Sequence, residues 1–140
     1  MNYWIFKANT EKYQLDNRLK DPDLNTTWRI TRYREQIKAG DIAFIWRAGS
    51  PRGICALMQI ESDPSIIDEI KLENYYLIEK IQKPTWRVKG RFIKRFALID
   101  SKVLKLTAGL ENLSVFHGFQ QATNFIVSQT EAKIILSMIS

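Results

Sequence analysis

Apolar positions fall into short runs along this chain. Residues 3 to 7, YWIFK, are aromatic or β-branched apart from the lysine and predict a buried strand. The polar stretch from Asn9 to Thr27 contains Asp21-Pro22-Asp23 and predicts a loop, with a short helical turn near Leu15 to Leu19. Ile30, Tyr33 and Ile37 recur at helical spacing with arginines on the other faces, so residues 29 to 38 predict a helix that Gly40 stops. After Asp41, Ile42, Phe44 and Trp46 share one face of a strand and Ala43 and Ile45 the other. Both faces are apolar, which places that strand in the middle of a sheet. AGSPRG, residues 48 to 53, is a turn cluster, and GICALMQIE returns as the second strand of a hairpin that Ser62-Asp63-Pro64 stops.

Residues 65 to 74 read as a loop or one helical turn. YYLIEKIQ and WRVKGRF read as strands, with Gly90 marking a bulge. Leu104, Leu106, Leu110 and Leu113 predict short helices between 101 and 116, and TNFIV a last strand. Ser128 and Glu131 have the spacing of a capping box, ahead of a helical stripe of Ala132, Ile135, Leu136 and Ile139. Neither a repeat nor a linker interrupts the pattern, and 140 residues suit one compact domain over 1–140. The expected architecture is a small barrel or strongly bent sheet with short helices at its margins.

Composition bears on setting and partner. At 45% hydrophobic and 11% aromatic, the chain can bury a real core. No run of about 18 apolar residues exists to cross a membrane. MNYWIFKANTEKY lacks the ordered parts of a signal peptide and reads as a strand. The single cysteine, Cys55, sits in an apolar run and reads as a small buried hydrophobe, so a reducing cytoplasm is the expected setting. The formal charge of +6 and the pI of about 9.5 favour a polyanionic partner. The charge is clustered: KPTWRVKGRFIKR, residues 83 to 95, carries Lys83, Arg87, Lys89, Arg91, Lys94 and Arg95 with no acid. Arg29, Arg32 and Arg34 follow Trp28, and Arg47 follows Trp46. These stretches are either solvated faces or phosphate contacts. The phosphate set is Arg29, Arg32, Arg34, Arg47, Arg87, Lys89 and Arg91.

Candidate chemistry is sparse. His117 has no nucleophile beside it in sequence and reads as a surface or interface residue. One His and one Cys give no transition-metal spacing, and no glycine-rich phosphate loop is present. No catalytic residue, metal site or cofactor is expected. The tryptophans say more. Trp4 and Trp86 read as core. Trp28 stands at the predicted loop-to-helix junction and Trp46 at the end of a buried strand, positions from which two rings could border one cleft and sandwich a planar group. Stacking of one base is worth about 1–3 kcal/mol.

YWIFKAN, TWRITRYREQIKAGDIAFIW, GICALMQIESDP and QATNFIVSQTEAKII, in that order, resemble the EVE domain. This family belongs to the PUA-like superfamily, which also holds the YTH readers of methylated adenine in RNA. The resemblance covers nearly the whole chain and is nearest to the EVE domains at the N-terminus of McrB-type modification-dependent restriction systems. It implies an α+β fold, a PUA-like bent sheet or open β-barrel flanked by short helices, with a pocket that takes a modified base out of the stack. The base-binding segment of the related readers corresponds to Lys7-Ala8-Asn9, where Ala8 lacks the hydroxyl those readers have. Trp28 takes the place of a cage wall, Trp46 borders the pocket, and Asn124 is a further polar contact.

The function expected from this is a non-catalytic module that reads a modified base, methylated cytosine in DNA ahead of RNA, flipped into an aromatic pocket. Extrusion costs a few kcal/mol, offset by stacking and edge hydrogen bonds. The alternative is a general RNA-binding PUA-like module that uses the basic strand and has no modified-base selectivity. A small enzyme acting on nucleosides is a third reading, disfavoured by the missing acid–base set. Nucleic acid is the expected partner, with a nuclease or motor protein encoded separately and no membrane.

Overall fold

The computed structural model describes residues 1–68, 75–77, 84–118 and 121–139. Strand β1 (Tyr3–Ala8) is followed by helix α1 (Leu15–Lys20), then β2 (Asn25–Arg29), β3 (Ile42–Arg47), β4 (Gly53–Ile60) and the short β5 (Ser65–Ile67). The sixteen-residue β6 (Thr85–Asp100) leads into helix α2 (Ser101–Leu106) and a 3-10 turn at Ser114–Phe116. Strand β7 (Asn124–Val127) and helix α3 (Gln129–Met138) come last. The strands join in the order β2-β6-β4-β3-β1-β7, with β5 added on β6. Only β1 and β3 run parallel among the neighbours along this path. This is an α+β fold built on one mixed sheet with short helices, as the resemblance to the EVE domain implies. Among the described residues no helix is long and apolar enough to cross a membrane.

Side-chain alternation on the central strands divides the core in two. Trp4, Phe6 and Ala8 of β1 pack with Ala43 and Ile45 of β3, Met58 of β4 and Val88 and Phe92 of β6 on one face. Ile5, Phe44, Trp46 and Ile54 point to the other face, under Leu104, Leu110, Leu113 and the α3 residues Ala132 and Ile135. Apolar residues on both faces of β3 follow from this. The α3 capping box forms as predicted, Ser128 Oγ accepting from Glu131 N and Glu131 Oε1 from Ser128 N.

Asn124 ties the two outer strands of the path together. Its side chain is fully buried. Oδ1 accepts from Thr31 N at 2.7 Å and Nδ2 donates to Arg29 O at 3.1 Å, so the end of β2 is held against the start of β7. Arg32 Nε donates back to Asn124 O at 2.8 Å. A second knot lies at Asp41, whose carboxylate is buried and accepts from Trp4 Nε1 at 2.9 Å, Lys38 N at 3.0 Å and Asn2 N at 3.0 Å.

Three local expectations are corrected. Residues 29 to 38 do not form the predicted helix: Trp28 and Arg29 belong to β2, and turns follow. Tyr33 has φ 62°, which breaks any right-handed helix there. Local strain of this kind costs about 1–2 kcal/mol. It accompanies tertiary contacts, since the Arg32 guanidinium lies 5.0 Å from the Tyr33 ring centroid and 4.8 Å from that of Phe125. Ile30 and Ile37 are still buried, so their spacing reported burial and not periodic structure. Gly90 is not a bulge, for it pairs in register with Ile60 and Thr26. It is small because a Cβ there would come within 2.5 Å of Met58 Sδ. The register shifts of β6 lie further on, opposite the Ile54–Ala56 and Leu57–Met58 steps of β4. Residues 65 to 67 are strand, where a loop or helical turn was expected. The strand predicted over residues 75 to 82 falls mostly outside the described residues, as does Lys83.

Candidate nucleic-acid interface

A cavity of about 520 Å³ opens where the end of β1 meets β2. Trp28 forms part of its wall and is fixed from behind: its ring stacks on Phe6 with centroids 6.5 Å apart and meets Tyr13 at 65° and 6.1 Å. Tyr13 in turn contacts Tyr76 at 4.9 Å, and the backbones of those two residues form a bridge. Lys7, Lys12 and Arg29 supply positive charge around the opening, with no acid among the described lining residues. Burial and repulsion from Lys12, Arg52 and Arg32 hold the Lys7 ammonium below the usual lysine pKa. A group destabilised in its charged form by burial and by its cationic neighbours is stabilised when an anion arrives.

The Lys7-Ala8-Asn9 segment lines this cavity. Asn9 Oδ1 accepts from Glu11 N at 2.9 Å, which turns the chain out of β1 and leaves the amide Nδ2 as the group that can address a ligand. Trp46 lies elsewhere. It is paired with Lys7 across β1 and β3 and points to the opposite face from Ile45, into the second core. Its ring meets Phe116 at 5.9 Å and 71° and lines a different cavity, of about 530 Å³. Trp28 and Trp46 are both about 5% exposed, on opposite sides of the sheet. The expected two-walled cage of Trp28 and Trp46 is therefore not formed, because strand alternation sends the two rings to different faces. Asn124 is also reassigned, since its amide is used up inside the protein by Thr31 and Arg29.

The sequence matches the family model of the EVE domain over residues 2–138. The chain is an EVE domain. Solved structures share the fold of this EVE domain at low identity. A hypothetical protein from Leishmania major is 19% identical with a TM-score of 0.74, covering 99% of this chain and 94% of that one. A Pseudomonas putida protein is 17% identical with a TM-score of 0.69, covering 97% and 98%. Human THYN1 protein, solved in complex with DNA containing 5-methylcytosine, is 22% identical with a TM-score of 0.70, covering 99% and 97%. No curated protein matches the sequence of this chain.

The basic residues of the EVE domain separate into two kinds. Arg29, Lys89 and Arg91 are exposed, and the pairs Arg29–Arg87, Thr27–Lys89 and Asn25–Arg91 put them on one face of β2 and β6. Thr27 and Arg29 also line the first cavity, so this charge continues to its rim. Arg87 breaks the expected stripe: it is fully buried, with Nη1 donating to Tyr76 Oη at 2.7 Å, and cannot reach a phosphate. Arg47 pairs with Asp16 at 3.0 Å and donates to Pro51 O. This pairing holds the Asp16 carboxyl below its usual range. Arg32 is half-buried against Phe125, and Arg34 lies 4.1 Å over the Trp86 ring. Lys94 and Arg95 bind the carbonyls of Ile139 and Leu19. The cavity residues Lys12, Tyr13 and Tyr76 carry no signal in the sequence, because only the fold brings them beside Trp28.

Proposed function

We propose that this EVE domain is a non-catalytic reader that takes a modified base, methylated cytosine in DNA, out of the stack and into the cavity beside Trp28. The observation that carries the reading is the cavity itself: an aromatic wall of Trp28 and Tyr13 under a rim of Lys7, Lys12 and Arg29. An aromatic wall suits the face of a base, and the rim suits the phosphates on either side of it. The family relation and the methylcytosine-containing DNA bound to human THYN1 protein support the same choice of ligand. Asn9 Nδ2 is the proposed donor to the base edge, and Arg29, Lys89 and Arg91 the proposed backbone contacts. Trp46 and Asn124 leave the proposed pocket. A reader leaves its target unchanged, so a nuclease or motor protein supplied separately would act on the mark.

One observation favours a second reading. Arg29, Lys89 and Arg91 lie on an exposed strand face that could hold RNA phosphates without using the cavity. Fluorescence anisotropy with matched oligonucleotides, DNA and RNA, with and without 5-methylcytosine, separates the two. The reader binds methylated DNA more tightly than its unmodified twin, and Asn9→Ala narrows the gap. Equal affinities for all four strands would refute the reader and leave the general module.

A further inference from the structure

The second cavity has the walls of a ligand site. Its volume of about 530 Å³ falls inside the ~300–1,000 Å³ span of small-molecule sites. One wall is aromatic: Phe116 is half-buried and backed edge-on by Trp46. Another is cationic, built from the exposed Arg52 and Lys105, with the Lys105 ammonium 5.1 Å from the Phe116 centroid. Glu11 is the one acid among the described residues of this lining. The remaining wall is Lys7 and Asn9, which line the first cavity as well. The end of β1 is thus a rib between two cavities, each with an aromatic surface.

Charge on the rib follows the same division. Lys12 lines the first cavity and Arg52 the second, and both repel the Lys7 ammonium between them. An arrangement of cations on a ridge and on both slopes complements a phosphodiester that straddles the ridge, with a nucleoside down each side. Base–aromatic stacking is sequence-tolerant, because every base has a π-face.

We infer that the domain engages two successive nucleotides of one strand, the first beside Trp28 and its neighbour against Phe116, with the phosphodiester between them on Lys7 and the neighbour's outer phosphate on Arg52 and Lys105. This rests on the base-reading role of the first cavity for the placement of the first nucleotide. The neighbour is held by stacking and charge, so its identity matters little while its presence matters.

The test uses single-stranded oligonucleotides, methylated and unmodified, and one methylated strand with an abasic site on either side of the modified base in turn. Binding is titrated with salt for the wild type and for Arg52→Ala/Lys105→Ala, two exposed positions whose loss leaves both cores intact. The double variant is expected to lower the slope of log K against log salt by about 1.4, near 0.7 per cation on a single strand. An abasic neighbour on one side is expected to weaken wild-type binding about five-fold or more. An unchanged slope together with indifference to both abasic sites overturns the inference. If the wild type binds methylated and unmodified strands equally, base reading fails, and the slope on the unmodified strand still decides the second cavity.

Discussion

Replacing Asn124 by alanine tests how the two outer strands of the sheet are tied together. The side chain is fully buried and makes its two shortest hydrogen bonds to backbone groups of β2 and the residues after it, Thr31 N at 2.7 Å and Arg29 O at 3.1 Å. Contacts to Thr31 Oγ1 at 3.3 Å and Arg32 N at 3.5 Å are longer and count for less. A buried backbone group left without its partner costs about 1–3 kcal/mol. Thr31 is exposed, so water can reach its amide and the lower end applies there. The sum expected for Asn124→Ala is roughly 2–4 kcal/mol. For a domain of this size, that lowers the melting temperature by roughly 6–16 °C. Asn124→Asp should cost a similar amount, because a carboxylate keeps the acceptor but sets an anion against the Arg29 carbonyl. Urea unfolding followed by tryptophan fluorescence gives the free energy directly. A loss under about 0.5 kcal/mol, typical of surface substitutions, with nucleic-acid binding strongly reduced would return Asn124 to the pocket and refute the latch.

Lys89→Ala should leave the melting temperature unchanged and lower the salt slope on duplex DNA by about 0.9; Arg87→Ala, two positions away, should instead cost roughly 2–4 kcal/mol of stability through loss of a buried, Tyr76-bonded guanidinium, and equal behaviour of the two would contradict the division between them. The folded protein releases the Lys7 proton at lower pH than the unfolded chain does. The charged ammonium therefore opposes folding at neutral pH, and that opposition fades as pH rises through the depressed pKa towards the usual value of 10.5. Lys7→Gln should accordingly melt no earlier than wild type at pH 7 while binding methylated DNA more weakly; thermal melts beside anisotropy read both. Burial pushes the Cys55 thiol up to about 12, so about one thiol in ten thousand is thiolate at pH 8; alkylation by iodoacetamide should be negligible in the native protein and complete in urea, as mass spectrometry would record.

The strands with apolar residues on both faces were legible because their burial is written in the sequence itself: β3 and β4 read as a central hairpin, and they are one. Helix α3 was legible from its cap. The segment from Thr27 to Lys38 was not. Its apolar spacing fits a helix, but Asn124, ninety-three residues from Thr31, fixes its backbone, and no local signal announces that. Trp28 shows the same limit from the other direction. Its role as a wall could be read from its type and neighbours, but its partners Phe6, Tyr13 and Lys12 converge only through the sheet. Trp46 was joined to the wrong cavity because the parity of one strand says nothing about which face another strand presents. Alternation with Val88 suggests an exposed Arg87, but period-two spacing cannot tell that Tyr76 lies over that face.

The position of β1 has a consequence for biosynthesis. It lies between β3, its parallel partner, and β7, its antiparallel one. A nascent chain that has emitted Tyr3–Ala8 holds a largely buried aromatic strand with neither neighbour made. Some 120 residues must follow before Val127 appears, roughly 6–24 s of synthesis at ~5–20 residues per second. Until then YWIF can be flanked on one edge only, by β3, and its other edge waits for β7. Truncations that remove β7 should therefore leave this segment exposed to chaperones and to aggregation, even though all the residues beside Trp28 up to Tyr76 are already present.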